Sequence, residues 1–349
     1  MPVFSIDQLR TLSTQVLLSA GVPARDAATV ADELATANAF GHDSHGVIRL
    51  IQYVDLIQQG FIVPGATVEV VRSGGSITIF DAHFNFGQVA ARAALEAGLR
   101  QAQDLGTSTV MVRNCNHVGR LGSYAQQAAL RGFASMMAVN APGPGGVAPW
   151  GGIERKLGTN PISMSGPWGD SALVLDMTTS ATAEGKIRVA YQKGESVAEG
   201  LLIDAAGHAT TDPAKLYADP PGAILPLGGP LGFKGYGLSV MIDVFGGILS
   251  GSGVCRTDLP RGANGVWMYF LDIDQFLDRS EYDSLIATYV ENLRSSRKQS
   301  GVAEILMPGE IENRREMLRR AEGVDVPDET WRQITELADR LGTDLRDVT

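Results

Sequence analysis

The sequence predicts an α/β fold whose sheet region is bracketed by helices at both ends, and three observations carry that reading. Apolar residues recur at helical spacing through the first ~60 residues. From Val68 the period changes to short beta-branched runs alternating with helical segments. After Tyr282 helical periodicity returns with dense charge on the outer faces. At 349 residues the chain exceeds a typical single-domain length, so one large α/β unit with an appended subdomain, or two domains, is expected.

The elements follow from local chemistry. Ser5 with Gln8 three residues on is a capping box, and Leu9, Leu12, Val16 and Leu17 continue a helix that Gly21 and Pro23 stop. A second helix is expected from Arg25 to Ala37, and a third from Asp43 or Ser44, either of which can cap it. Val68 to Val71 and Ile77 to Phe80, parted by Ser73, Gly74, Gly75 and Ser76, form a hairpin. Gln88 to Leu105 reads as a helix, Ser108 to Val112 as a strand, Gly122 to Leu130 as a helix and Ala134 to Val139 as a strand. Four prolines and six glycines between Pro142 and Pro161 make a long loop of the kind that lines sites. Strands are expected at Ala172 to Leu175, Leu201 to Ile203 and Val266 to Ile273, with a buried helix at Tyr236 to Leu249. Tyr282 to Ser296, Arg314 to Glu322 and Thr330 to Leu341 are helical and can pack on the N-terminal helices, closing a discontinuous domain.

Composition narrows the function. With 44% hydrophobic and 19% charged residues the chain has the make-up of a globular enzyme. A net charge of −10 and a pI near 5.0 disfavour nucleic acid, which needs clustered Lys and Arg. The N-terminus lacks the basic and apolar regions of a secretory signal, and Leu238 to Leu249 carries Asp243 and is too short to span a membrane. A cytoplasmic location is expected. Two cysteines, Cys115 and Cys255, provide neither a disulfide framework nor a four-cysteine metal site.

Three constellations carry chemistry. His45, Arg49 and Tyr53 are spaced four apart and line one face of the third helix, with Val47, Leu50, Ile51 and Val54 on the other. A guanidinium with a phenol one turn away can hold a carboxylate, and Ser44 adds a donor at the helix start; a solvated polar face is the plain alternative. His117 follows a strand in Arg113-Asn114-Cys115-Asn116-His117-Val118-Gly119, where α/β sheets present ligand-binding groups, and an imidazole there suits acid/base work or a structural role. Cys115 reads as a core residue. His42, His45 and His117 raise a metal-dependent hydrolase as an alternative, although the spacing of zinc ligand pairs is missing and no metal is expected; Asp43-Ser44-His45 is no triad, because consecutive residues cannot form the relay. A non-enzymatic carboxylate-binding module is the other alternative. No GxGxxG occurs, and Gly143 to Ala148 contains Pro144 and runs into Pro149. Phosphate or ribose could be met at Gly232-Phe233-Lys234-Gly235-Tyr236-Gly237, which opens a helix, or at Asp176-Met177-Thr178-Thr179-Ser180, which follows a strand.

At these residues the chain resembles the malate/L-lactate dehydrogenase family that is distinct from the ordinary Rossmann lactate and malate dehydrogenases. The resemblance rests on Ser44-His45-Gly46 with Arg49 and Tyr53, Asn116-His117-Val118-Gly119, Gly158-Thr159-Asn160-Pro161 and Leu175-Asp176-Met177 with Ser180. It continues through Thr210-Thr211-Asp212-Pro213, Lys234-Gly235-Tyr236-Gly237 and Pro308-Gly309-Glu310, in the family's order across most of the chain. It implies a non-Rossmann, mixed-sheet α/β domain for the cofactor, residues 67–279, and a helical domain built from residues 1–66 and 280–349. It also implies a homodimer and NAD or NADP as hydride carrier for a small 2-hydroxy or 2-oxo acid, or for a cyclic imino acid. Ser44, His45, Arg49 and Tyr53 would hold the substrate carboxylate, Thr159 would border the pocket, and Asp176 to Ser180, Phe233, Lys234 and Pro308 to Glu310 would contact the cofactor. His117 would be the proton donor, with His45 as second candidate. The chain departs from the family near Ala141, where relatives often carry hydroxyl residues, and at Cys115, which is often Ser.

Overall fold

The computed structural model describes residues 1–255, 259 and 262–345. After β1 (Val3–Phe4) come α1 (Ile6–Ser19), α2 (Ala24–Ala39) and α3 (Arg49–Gln58). The capping box closes as expected: Gln8 N donates to Ser5 Oγ at 3.1 Å and Ser5 N to Gln8 Oε1 at 2.8 Å. The hairpin strands β2 (Glu69–Gly74) and β3 (Ile77–Asp81) lead into α4 (Gly87–Leu105), β4 (Thr107–Cys115), α5 (Leu121–Leu130) and β5 (Phe133–Asn140). Two further strands, β6 (Ile162–Trp168) and β7 (Ser171–Met177), precede α6 (Glu184–Lys193). Short strands β8 (Leu202–Ile203), β9 (Ala209–Thr210) and β10 (Ala223–Ile224) form a sheet of their own. Then follow α7 (Phe233–Ile242), β11 (Asn264–Asp272), α8 (Arg279–Arg294), α9 (Glu310–Glu322), β12 (Val324–Asp325) and α10 (Asp328–Leu341).

The main sheet runs β2-β3-β4-β11-β5-β6-β7, with β3 and β4 parallel and every other pair antiparallel. This is a mixed sheet. The late strand β11 enters between β4 and β5, so the parallel order that a glycine-rich dinucleotide turn requires never forms. Alanine-rich α4 and α5 cover one face, packing Ala94, Leu95, Ala125 and Ala128 onto Val110, Val112, Met268 and Phe270. Small side chains let the helices approach closely, and Ser108 Oγ donates to Gly98 O at 2.7 Å across that interface.

A second core joins the two ends of the chain. Leu9, Leu12 and Val16 of α1, Leu34 of α2 and Leu50 and Val54 of α3 pack with Ile334 and Leu337 of α10. β1 pairs with β12, tying the termini. α8 behaves differently from the other C-terminal helices: it lies along β6, where Tyr282 Oη donates to Pro167 O at 3.1 Å, and buries only Val290. The α7 region also departs from expectation. It begins at Phe233, becomes π-wound over Asp243–Ile248, and leaves Phe233, Met241, Ile248 and Leu249 about half exposed. The expected buried helix is therefore covered on one side only, because it lies on the outer face of the sheet.

Candidate active site

His117 sits in a turn pinned from several directions. β4 ends at Cys115, whose Sγ donates to Asn264 O, while Asn264 Oδ1 accepts Val118 N–H at 3.1 Å. Asn116 Nδ2 donates to Phe61 O at 3.0 Å and to Phe84 O at 2.7 Å, clamping the loops that enter and leave the hairpin. Gly87 starts α4 directly on this turn; a Cβ there would lie 2.0 Å from Asn116 O. Burial pushes the Cys115 thiol up to about 12, which makes it a core residue with no nucleophilic role.

The third-helix expectation needs correction. Asp43 to His45 form a separate 3₁₀ turn, and α3 begins only at Arg49. Asn38 of α2 causes the break: its Oδ1 accepts Val47 N–H at 2.9 Å, and a Cβ on Gly46 would lie 2.1 Å from that oxygen. Ser44 therefore does not cap α3, and His45 does not share its face with Arg49 and Tyr53. Tyr53 is also not part of an exposed clamp, since it is fully buried with its hydroxyl 2.8 Å from His117 Nδ1.

The break nonetheless gathers these residues. The His45 and His117 rings stack at 5.2 Å, and Ser44 Oγ lies 3.0 Å from His45 Nδ1. Arg49 Nε donates to Ser44 O at 2.6 Å and Nη1 to Gln52 Oε1 at 2.6 Å, which leaves Nη2 without a partner among the described residues. Burial, then the Arg49 charge and the neighbouring histidine, hold His117 well below the usual imidazole range. The same causes, burial foremost, hold His45 at about 3. Both rings are neutral at neutral pH. α6 and Gln88 were not foreseen. Gly185 of α6 packs on Ser44, and Gln88 Nε2 donates to Tyr53 Oη at 2.7 Å. A glutamine opening a helix reads in sequence as surface, so Gln88 had no signal.

The expected cofactor segments meet along β7. Thr179 N donates to Thr159 O at 3.0 Å, Leu227 N to Thr179 O at 2.9 Å, and Val174 N to Pro308 O at 3.0 Å. Asn160, also unforeseen as a key residue, ties this loop to Ala141 N and to Ser239. The hydroxyl hydrogens of Thr178, Thr179 and Ser180 go to backbone carbonyls; Thr179 and Ser180 are buried and tie the loop, while half-buried Thr178 remains as an acceptor, which suits a sugar hydroxyl better than phosphate. Asp176 Oδ2 accepts Gly122 N–H at 2.7 Å. Glu310 Oε2 accepts Met307 N–H and Oε1 pairs with Arg294. Phe233 and Lys234 open α7 with no side-chain cap on its N-terminus.

The metal-hydrolase alternative asks His42, His45 and His117 to converge on one point. Their rings instead stack or stand edge-on at 5.2 and 6.5 Å, with both assigned Nδ1 atoms facing hydroxyls. That geometry does not suit three ligands of one ion.

The sequence profile of the family described as malate/L-lactate dehydrogenase matches residues 4–335. The chain belongs to this family. It is accordingly an oxidoreductase, a dehydrogenase of the hydroxy-acid class, which removes the non-enzymatic reading. It is 36% identical over 346 residues to a malate dehydrogenase of Pyrococcus horikoshii, covering 97% of this chain and 95% of the relative. An L-sulfolactate dehydrogenase of Methanocaldococcus jannaschii is 33% identical, with 97% of each chain covered. The solved malate dehydrogenase structure from Pyrococcus horikoshii superposes with a TM-score of 0.89 at 34% identity, covering 98% of this chain and 96% of that one. This likeness agrees with the mixed sheet described above.

Proposed function

We propose that this dehydrogenase passes a hydride between a nicotinamide dinucleotide, NAD or NADP, and C2 of a small 2-oxo or 2-hydroxy acid of the malate or lactate type. The observation that carries the reading is the half-buried Arg49, whose Nη2 meets no partner among the described residues, with its charge acting on the stacked and neutral His45 and His117. Reduction at C2 builds negative charge on the substrate oxygen, which a positioned acid must neutralise. His117 takes that role, and His45 polarises the same oxygen or shares it. Arg49 and Ser44 hold the carboxylate, so that fixing one end of the substrate aligns the other. Tyr53 acts from behind His117, and Thr159 borders the pocket.

The nicotinamide supplies the hydride when bound. Asp176 to Ser180, Phe233, Lys234 and Pro308 to Glu310 are the residues proposed to hold it. Their fit is supported by the half-buried Thr178 hydroxyl, which remains as an acceptor, and by Arg120, whose buried Nε and Nη1 have no hydrogen-bond partner among the described residues and whose Nε lies 4.0 Å from Asp176 Oδ2. A buried cation with unmet donors suits a phosphate oxygen.

We further propose the division into a helical domain, 1–66 with 280–349, whose α8 lies across on the sheet at β6, and a cofactor domain, 67–279, acting in the cytoplasm as a homodimer. No described helix is long and apolar enough to cross a membrane, and both cysteines are free. An apolar helix half exposed along α7 calls for a partner surface. Sedimentation at micromolar concentration should give twice 37.0 kDa, and an active monomer would contradict the dimer.

The reaction is tested with a panel of 2-oxo acids and a cyclic imine, each with NADH and with NADPH. At least one 2-oxo acid should drive loss of the reduced-nicotinamide absorbance, unaffected by chelator. Turnover confined to the imine, or abolished by chelator, would overturn the proposed substrate class or chemistry.

A further inference from the structure

Gln88 lies fully buried in the first turn of α4, behind Tyr53 as seen from His117. Its Nε2 donates to Tyr53 Oη at 2.7 Å, while its Oε1, equally buried, bonds nothing among the described residues. Tyr53 Oη in turn stands 2.8 Å from His117 Nδ1. A phenol has one hydrogen. With an amide N–H already directed at its oxygen, Tyr53 gives that hydrogen to Nδ1, and the neutral imidazole keeps its own on Nε2.

This polarity suits resting His117 and fails for the protonated ring. Imidazolium carries hydrogen on both nitrogens, so Nδ1–H would meet the Tyr53 O–H head on. Passing the phenol hydrogen to Nδ1 instead would leave a buried phenolate, and burial pushes Tyr53 up to about 12. The hydrogen must turn to another acceptor. A half-turn of the Gln88 amide brings its orphaned Oε1 to that position.

We propose that Gln88 is a positioning residue for proton transfer, its amide turning from donor to acceptor toward Tyr53 as His117 gains the proton it delivers to substrate. The inference rests on the reading of His117 as proton donor. The other titratable groups facing His117 are Arg49 and Tyr53 of α3 and His45 of the preceding turn; α4 presents only the uncharged Gln88.

The test compares Gln88→Glu and Gln88→Leu by pH profile, steady-state kinetics and ¹⁵N shifts of the histidine ring nitrogens in the intact enzyme. Reduction requires protonated His117, so the rate falls as pH rises through its pKa. An acceptor that cannot turn back into a donor favours imidazolium, and Gln88→Glu should move that limb up by about one pH unit. Gln88→Leu, with no acceptor, should move it down, lower kcat at neutral pH by about tenfold or more and leave KM nearly unchanged. In the wild type the ¹⁵N shifts should show hydrogen on Nε2 of His117, and in Gln88→Leu a mixture of tautomers. If Gln88→Leu does not fold, the Gln88→Glu limb and the wild-type shifts decide. An unmoved limb and unchanged tautomer, with His117→Asn inactive, would overturn the inference about Gln88 alone. Full turnover in His117→Asn would overturn both it and the reading on which it rests.

Discussion

His117→Asn should lower kcat by about 10²- to 10⁴-fold, the contribution of general acid catalysis, with fold and cofactor affinity retained. Asparagine keeps a hydrogen-bonding group where Tyr53 Oη now meets Nδ1 but delivers no proton. The ring it replaces is half-buried and held neutral by desolvation and by Arg49. A bound carboxylate changes this balance, because an anion against Arg49 offsets the charge that disfavours imidazolium. The pH limb belonging to this proton should vanish in the variant. His45→Asn is the control. As a polarising or carboxylate-side group it should act mainly on KM, and a loss confined to kcat there would exchange the two histidines' roles.

Arg49→Lys should reduce kcat/KM roughly tenfold to over a hundredfold, equivalent to about 1.5 to 3 kcal/mol for one charge-assisted contact. The guanidinium is already fixed by Ser44 O and Gln52 Oε1, so Nη2 is presented in one orientation. An ammonium can satisfy one of these partners and loses the planar fork. Cofactor binding should change little, since the hydrogen bonds of Arg49 go to Ser44 O and Gln52 Oε1 and to none of residues 176–180 or 308–310. Wild-type efficiency on every accepted acid would place Arg49 outside the substrate site.

The parts of the molecule legible in sequence are those decided locally. The capping box at Ser5, the hairpin around Gly74 and Gly75 and the amphipathic α10 each carry their signal within a few residues. β6 was missed because Ser163, Ser165, Gly166 and Pro167 are poor strand formers; Ser163 and Ser165 are held by Leu175 O and Ala125 O, partners far along the chain. α6 was missed because it buries Ile187 alone, which leaves no apolar stripe to read. At the site, Ser44, His45, Arg49, Tyr53 and His117 lie close together, but not in the arrangement that spacing within one helix implies. Asn38 breaks the third helix from outside it, and Tyr53 turns inward to His117, so a spacing argument within one helix had the wrong partner for both Ser44 and Tyr53. The insertion of β11 between β4 and β5 is likewise a tertiary choice with no local signature.

The central claim is direct hydride transfer to C2 beside His117. It is tested most directly by supplying the accepted 2-oxo acid with reduced nicotinamide deuterated at its transferable position, and reading the hydroxy acid by mass spectrometry and NMR. One deuterium at C2 of a single enantiomer is expected in the wild type, with the yield per turnover unchanged but its rate collapsed in His117→Asn. Hydroxy acid formed with only solvent hydrogen at C2 would contradict it.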